Sequence, residues 1–239
     1  MKKVNWQFLS TIVLYFSFFV GGIVLLAYYY SQTEGSPLVV ALAFVFLLIA
    51  LFVSSVANKR LNFLMNLSYQ LKIRDNAAEP IRLRNAKTEA ALYSYLAKNE
   101  FKKLKQSKTY SSYYRVVDDT VKKIFANKML EVVVFISDGE NEFFLDSVDD
   151  DINNLKVKLL EDKVKVNRLF VTQFRNVDML DEKTKKKINE IVFIRTRYNI
   201  ISTVNVALFQ NDLGVMLYSD TYSPSLYYRY HIDQIKEML

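Results

Sequence analysis

The chain has 239 residues, 51% of them hydrophobic and 24% charged, with a net charge of +7 and no cysteine. One or two domains fit that length, and the lack of cysteine removes disulfides, Cys/His zinc sites and cysteine nucleophiles. His231 is the only histidine, so no H-E-x-x-H helix can form. Of five glycines only Gly139 and Gly214 lie outside the apolar N-terminal quarter, too few for a glycine-rich phosphate loop.

That first quarter carries the hydrophobicity. No charged residue occurs from Val4 to Thr33, and none from Gly35 to Asn58. The pattern predicts two transmembrane helices, from about Phe8 to Tyr30 and from about Leu38 to Ala57, each able to cross roughly 30 Å of hydrocarbon. The connector, Ser31 to Pro37, is short enough to make the helices antiparallel neighbours. Lys2, Lys3, Lys59 and Arg60 flank the hairpin on one side and only Glu34 lies on the other. The positive-inside rule therefore predicts a multi-pass cell-membrane protein with both termini cytoplasmic. Trp6 and the run Tyr28 to Tyr30 mark the expected headgroup layers. The first apolar run is longer than a signal-peptide core and is followed by no A-x-A pattern, so it reads as an anchor. No ionisable side chain lies within either span, which argues against a proton relay or a charged substrate path. Gly21 and Gly22 could permit close helix contact.

Residues 59–108 hold twelve basic and four acidic side chains, a net of +8, while 109–239 hold 18 basic and 20 acidic. Basicity thus belongs to a juxtamembrane connector. Leu61, Leu64, Met65, Leu67 and Leu71 continue the second span as a helix that Asp75, Asn76 and Pro80 end, and a second helix is expected from about Arg82 to Gln106. Lys59, Arg60, Lys98, Lys102, Lys103, Lys105 and Lys108 are the candidate contacts to anionic lipid headgroups. The globular part shows no basic face and no nucleic-acid signature, which weighs against nucleic acid as a partner.

After Ser107 helices alternate with compact apolar runs. Expected are a helix over Tyr113–Asn127, a strand over Leu130–Ser137, a helix over Asp146–Leu160 and a strand over Lys163–Phe174. A helix over Asp181–Arg197, paired strands Ile200–Phe209 and Gly214–Ser219 around an Asn211-Asp212-Leu213 turn, and a last helix from Ser223 or Ser225 to Met238 complete the chain. The resulting fold class is α/β: a transmembrane hairpin (1–58), a helical connector (59–108) and an α/β sandwich with a mainly parallel sheet (109–239).

The stretch Asp151 to Val171, a helix ending in a turn before a strand of alternating basic and apolar residues, resembles part of phospholipase D-like domains, and Val204 to Leu217 is similar to that family's hairpin. The resemblance covers roughly Tyr113 to Leu239, one half of such a domain. It would imply phosphoryl transfer by an H-x-K motif, but His231 is followed by Ile232 and Asp233, so that chemistry does not carry over. What it implies instead is a ligand-sensing or protein-binding module without catalysis.

Asp146, Asp149, Asp150 and Asp151 could help hold Mg²⁺ or Ca²⁺, or cap the helix they open. His231 reads as a surface or half-buried structural histidine. Tyr110, Tyr113, Tyr114, Tyr218, Tyr222, Tyr227, Tyr228 and Tyr230 divide between core packing and a partner surface. The sequence thus points to a membrane-anchored cytosolic module that binds a protein or small ligand, with no catalytic residues and no cofactor. Two rivals stand beside it: a membrane effector whose hairpin oligomerises, and a carboxylate-metal enzyme acting on a phosphate-containing or lipid substrate.

Overall fold

The apolar quarter forms two helices, α1 (Lys2–Thr33) and α2 (Pro37–Asn76), in the computed structural model. The structure describes residues 1–33, 36–77, 79–84, 89–122, 128–137, 142–196, 199–209 and 213–239. Glu34, Gly35, Lys87, Ile124, Phe125, Gly139, Arg197, Asn211 and Asp212, on which parts of the reading above rest, lie outside them. The chain divides into two units, Met1–Leu71 and Lys72–Leu239.

In the first unit α1 and α2 pack along each other. Tyr15 Oη and Ser54 Oγ are 3.1 Å apart, and the rings of Phe18 and Phe19 lie 5.6 and 6.3 Å from that of Phe46. Partners descend in one helix as they ascend in the other, the antiparallel order expected of a short connector. A Cβ on Gly22 would overlap the Phe46 ring, whereas one on Gly21 would meet nothing within 4 Å. Gly22 alone is thus the close-contact residue. The apolar side chains of both helices point outward, with Trp6 and Phe52 each 71% exposed.

The second unit is built on an eight-stranded sheet: β1 (Ile81–Arg84), β2 (Lys102–Gln106), β3 (Tyr110–Asp118), β4 (Lys128–Ile136), β5 (Val166–Asn176), β6 (Val192–Arg195), β7 (Ile200–Phe209) and β8 (Leu213–Met216). The order is β1-β8-β7-β5-β4-β3-β2, and β6 pairs with the Ile200–Thr203 end of β7. Only β4·β5 and β5·β7 are parallel; β1·β8, β2·β3, β3·β4, β6·β7 and β7·β8 are antiparallel. The sheet is therefore mixed and mostly antiparallel, which corrects the expected mainly parallel sheet.

Three segments read as helix turn out to contain strands. Residues 82–106 are not one helix: they hold most of β1, the short helix α3 (Glu89–Lys98) and β2, and the turn between the last two places Glu100 at φ 61°, a left-handed conformation no helix continues through. Tyr113–Asn127 begins within β3, where Tyr110 and Ser112 are buried and Ser111 between them is not, a period of two. Its tyrosines and valines suit a pleated surface better than their chance helical spacing suggested. The helix expected over Asp181–Arg197 stops at Ile188, and the run Val192-Phe193-Ile194 becomes β6.

The remaining elements fall where expected: β4, α4 (Asp146–Glu161), β5, the β7–β8 pair and α6 (Leu226–Met238), capped by Ser225 Oγ, which accepts from Tyr228 N at 3.2 Å. The run Leu130–Ile136 is buried throughout because helices cover both sheet faces. On one face Leu130, Val132, Val134, Leu169 and Val171 form a core with α4 and with α5 (Glu182–Ile188). On the other face α3 places Tyr93 against Phe135, ring centroids 4.6 Å apart, and α6 places Tyr230 and His231 against Phe170 at 5.5 and 5.3 Å.

Candidate functional site

The α6 face of the sheet carries the densest polar chemistry of the second unit. Glu131 sits mid-strand in β4, 4% exposed, and Arg115 faces it across the β3·β4 register. Arg115 Nε donates to Glu131 Oε2 at 2.5 Å, and Tyr230 Oη donates to Oε1 at 2.6 Å. The guanidinium also donates to Asn99 O at 3.3 Å and Gln234 Oε1 at 2.9 Å, while stacking 4.6 Å from the Phe101 ring centre. Burial, with Glu131 next to it, pushes the Tyr230 hydroxyl well above the usual phenol range. Both carboxylate oxygens are occupied by donors, the condition under which a buried ion pair is tolerated.

Next to Tyr230 on α6, His231 is buried, which corrects the expected surface or half-buried histidine. Its Nε2 lies 3.1 Å from Thr172 Oγ1 and its Nδ1 2.8 Å from Ser202 Oγ. Burial drives its pKa down to about 3, so the ring is neutral at physiological pH. A serine bonded to histidine is the start of a nucleophilic site, but here the imidazole's second nitrogen meets a threonine and both partners are buried in the sheet. A cavity of about 10 Å³, the size of one water, is lined by His231 and Thr172 together with Glu131, Tyr230 and Gln234. A third tie joins Tyr227 Oη to Asp119 Oδ2 at 2.5 Å, with Val121 N and Lys122 N donating to the same carboxylate. Residues 227, 230, 231 and 234 follow helical spacing, so one stripe of α6 is fixed to the sheet by polar contacts. Helical spacing makes these residues findable, whereas Arg115 is hidden by the helix expected over Tyr113–Asn127.

The aspartate cluster opens α4 without a side-chain cap bond. The N-cap of α4 is Leu145, with no side-chain cap bond, and Asp146 and Asp149 lie in the first turn. Asp151 is turned toward the sheet, where Lys105 Nζ pairs with Oδ1 at 2.9 Å and Tyr110 Oη donates to Oδ2. Asp149 has a carboxyl raised by burial first, then by Asp146 and Asp150. Among the described residues no three His, Asp or Glu side chains form a group that could hold a metal ion.

The candidate headgroup lysines are all on the surface. Lys59 and Arg60 are exposed on α2 in the first unit. In the second unit Lys98 ends α3, Lys102, Lys103 and Lys105 lie on β2, and Lys108 occupies the β2–β3 turn, so five lysines line one sheet edge. A concavity of about 530 Å³ is lined by Arg74, Glu79, Glu182, Lys185, Lys186 and Glu190, among others. Lys185 Nζ sits between Glu79 Oε2 at 3.3 Å and Glu182 Oε1 at 3.1 Å, hydrogen bonds that hold its ammonium above the usual lysine range. No known protein family, characterised protein or solved structure matches the chain.

Proposed function

We propose that this protein is a membrane-anchored α/β binding module, facing the cytosol and without catalytic activity of its own. The observation that carries the reading is the uncovered apolar surface of α1 and α2, both long and apolar enough to span a bilayer and almost unburied within the chain. On α1, Trp6 and Tyr28 are 22 residues apart, about 33 Å of helix, close to the separation of two headgroup layers. The basic residues at both hairpin ends support cytosolic termini. The cleft around Lys185 falls within the size range of small-ligand sites, and its mixed charges suit a ligand carrying both signs.

Membrane integration is tested by washing the membrane fraction of expressing cells at alkaline pH. Retention is expected, and release into the supernatant would overturn the anchor. Orientation is tested in the cysteine-free background: Ser36→Cys should react with an impermeant thiol reagent from outside intact cells, and Ser107→Cys should not.

The effector reading has one observation in its favour. The last turn of α2 belongs to the second unit: Ile73 is wholly buried there, Thr221 Oγ1 donates to Asn76 Oδ1 at 3.3 Å, and Lys72 lies 5.7 Å from the Tyr222 ring centre. A ligand that shifted α5 or the 219–222 segment would strain that turn. Leakage from dye-loaded proteoliposomes on addition of a ligand would favour the effector over the plain anchor.

A further inference from the structure

We propose that the lysine edge formed by α3, β2 and the β2–β3 turn docks on anionic lipid headgroups, a role that rests on the membrane-anchored reading above. The edge is local and strongly basic: between residues 98 and 109 there are five lysines and a single acid, Glu100. All five are exposed, and only Lys105 is taken up by an ion pair, with Asp151. Lys103 bonds the neutral Gln106, and Lys98, Lys102 and Lys108 make no ion pair among the described residues.

The strand geometry accounts for the two on β2 that form no ion pair among the described residues, Lys102 and Lys103. The β2·β3 register shifts between Lys103 and Lys105. The extra residue sends both Leu104, packed on the α4-side core, and Lys105, paired with Asp151 of α4, toward one face. Lys102 and Lys103 are left outside that contact. A bulged edge bearing lysines resists pairing with another strand, and a second copy would bring lysine against lysine, so an added β-strand is a poor occupant. A headgroup layer needs no backbone pairing and supplies the complementary charge. A chain that carries its own membrane anchor also presents the edge to lipid at high effective concentration. Each lysine near an anionic surface contributes about a fivefold gain in affinity, within a Debye length of about 10 Å.

The test uses the full chain in proteoliposomes, with Ser107→Cys carrying a fluorophore quenched by headgroup-labelled lipid. In vesicles of phosphatidylserine and phosphatidylcholine at low ionic strength, quenching is expected to exceed that in pure phosphatidylcholine at least fivefold, and to fall as salt rises. Replacing Lys98, Lys102, Lys103 and Lys108 together by Gln should abolish the difference while α-helical and β-sheet circular dichroism stay unchanged. Equal quenching in both lipids, or an unaffected variant, overturns the proposal. So does a label that responds to soluble polyglutamate and not to anionic vesicles, which would point to an acidic protein partner. Alkaline extraction of the same proteoliposomes separates the two readings: a retained chain without quenching loses only the docking edge, whereas an extracted chain loses the anchor.

Discussion

Tyr230 on α6 donates to Glu131 in the middle of β4 across 2.6 Å, placing a carboxylate at the heart of a sheet that is otherwise mostly apolar. The contact is tolerable only because Arg115 occupies the other carboxylate oxygen, so each member of the trio depends on the other two.

Tyr230→Phe removes one donor and leaves one buried carboxylate oxygen without it, and is expected to cost about 1–3 kcal/mol. Glu131→Ala should cost more, about 3–5 kcal/mol, since it strands the Arg115 guanidinium. Glu131→Gln combined with Arg115→Met should recover much of that loss. Chemical denaturation of the purified protein, followed by tryptophan-independent circular dichroism, measures all three; a Glu131→Ala cost no larger than that of Tyr230→Phe would refute the interdependence.

His231 makes stability depend on pH, and its uniqueness makes the effect attributable. In the fold burial holds the ring neutral down to about pH 3, whereas the unfolded imidazole takes up a proton below about 6.5. Its contribution is intact above about pH 6.5 and is lost progressively toward pH 3, by about 1.4 kcal/mol per pH unit. Between about pH 6.5 and 5, where carboxylates with ordinary pKa values stay charged, the loss of stability should belong to His231, the raised Asp149 carboxyl acting in the opposite direction. His231→Gln, which can still bond Thr172 and Ser202, should lower stability at neutral pH and flatten the slope in that window; an unchanged slope would exclude His231 as its source.

What could be read from the sequence follows a physical divide. The runs that became β4, β5 and β7 are β-branched and continuous, and α4 and α6 have apolar residues at helical spacing with acids or a serine at the start, so local preference and tertiary demand agree. In Arg82–Gln106 and Tyr113–Asn127 they disagree: Leu83, Leu92 and Leu96 or Val116, Val117 and Val121 can be threaded on a helical stripe, but the sheet needed edges. The antiparallel strands β1 and β2 supply them, and β3 joins β2 to β4. The polar ties of α6 were half legible. The sequence marks Tyr227, Tyr230 and His231 but neither Glu131, which lies inside an apolar run, nor Arg115, which falls in a segment with helical spacing, because a charge buried by pairing across strands has no signature in either strand alone.

The two adjacent glycines of α1 should behave differently. Gly22→Ala places a methyl against the Phe46 ring and is expected to cost about 1–3 kcal/mol of hairpin stability through overpacking, whereas Gly21→Ala, with open space around it, should be neutral or slightly stabilising. Thermal denaturation in detergent distinguishes them. Equal effects would mean that α1 and α2 do not meet at Phe46.

The aspartates divide in the same way, between one that is bound and others that crowd. Asp151 accepts from Tyr110 and pairs with Lys105, tying α4 to β2 and β3, so Asp151→Asn should destabilise the second unit by about 1–2 kcal/mol. Lys105 is 45% exposed on its side chain, which leaves the tyrosine bond as the larger part. Lys105→Gln should therefore cost much less than Tyr110→Phe. Asp149 has no such partner among the described residues, and its carboxyl is raised by burial and by Asp146 and Asp150, so Asp149→Asn should leave stability unchanged or slightly higher at neutral pH. Lowering the pH protonates Asp149 more readily in the fold than in the unfolded chain, so its unfavourable contribution fades as pH falls below its raised folded pKa. The gain from Asp149→Asn should shrink over the same range. Denaturation of the two asparagine variants at neutral and acidic pH measures the contrast, and a loss at Asp149 equal to that at Asp151 would show that the cluster acts as one unit, as a metal site would require.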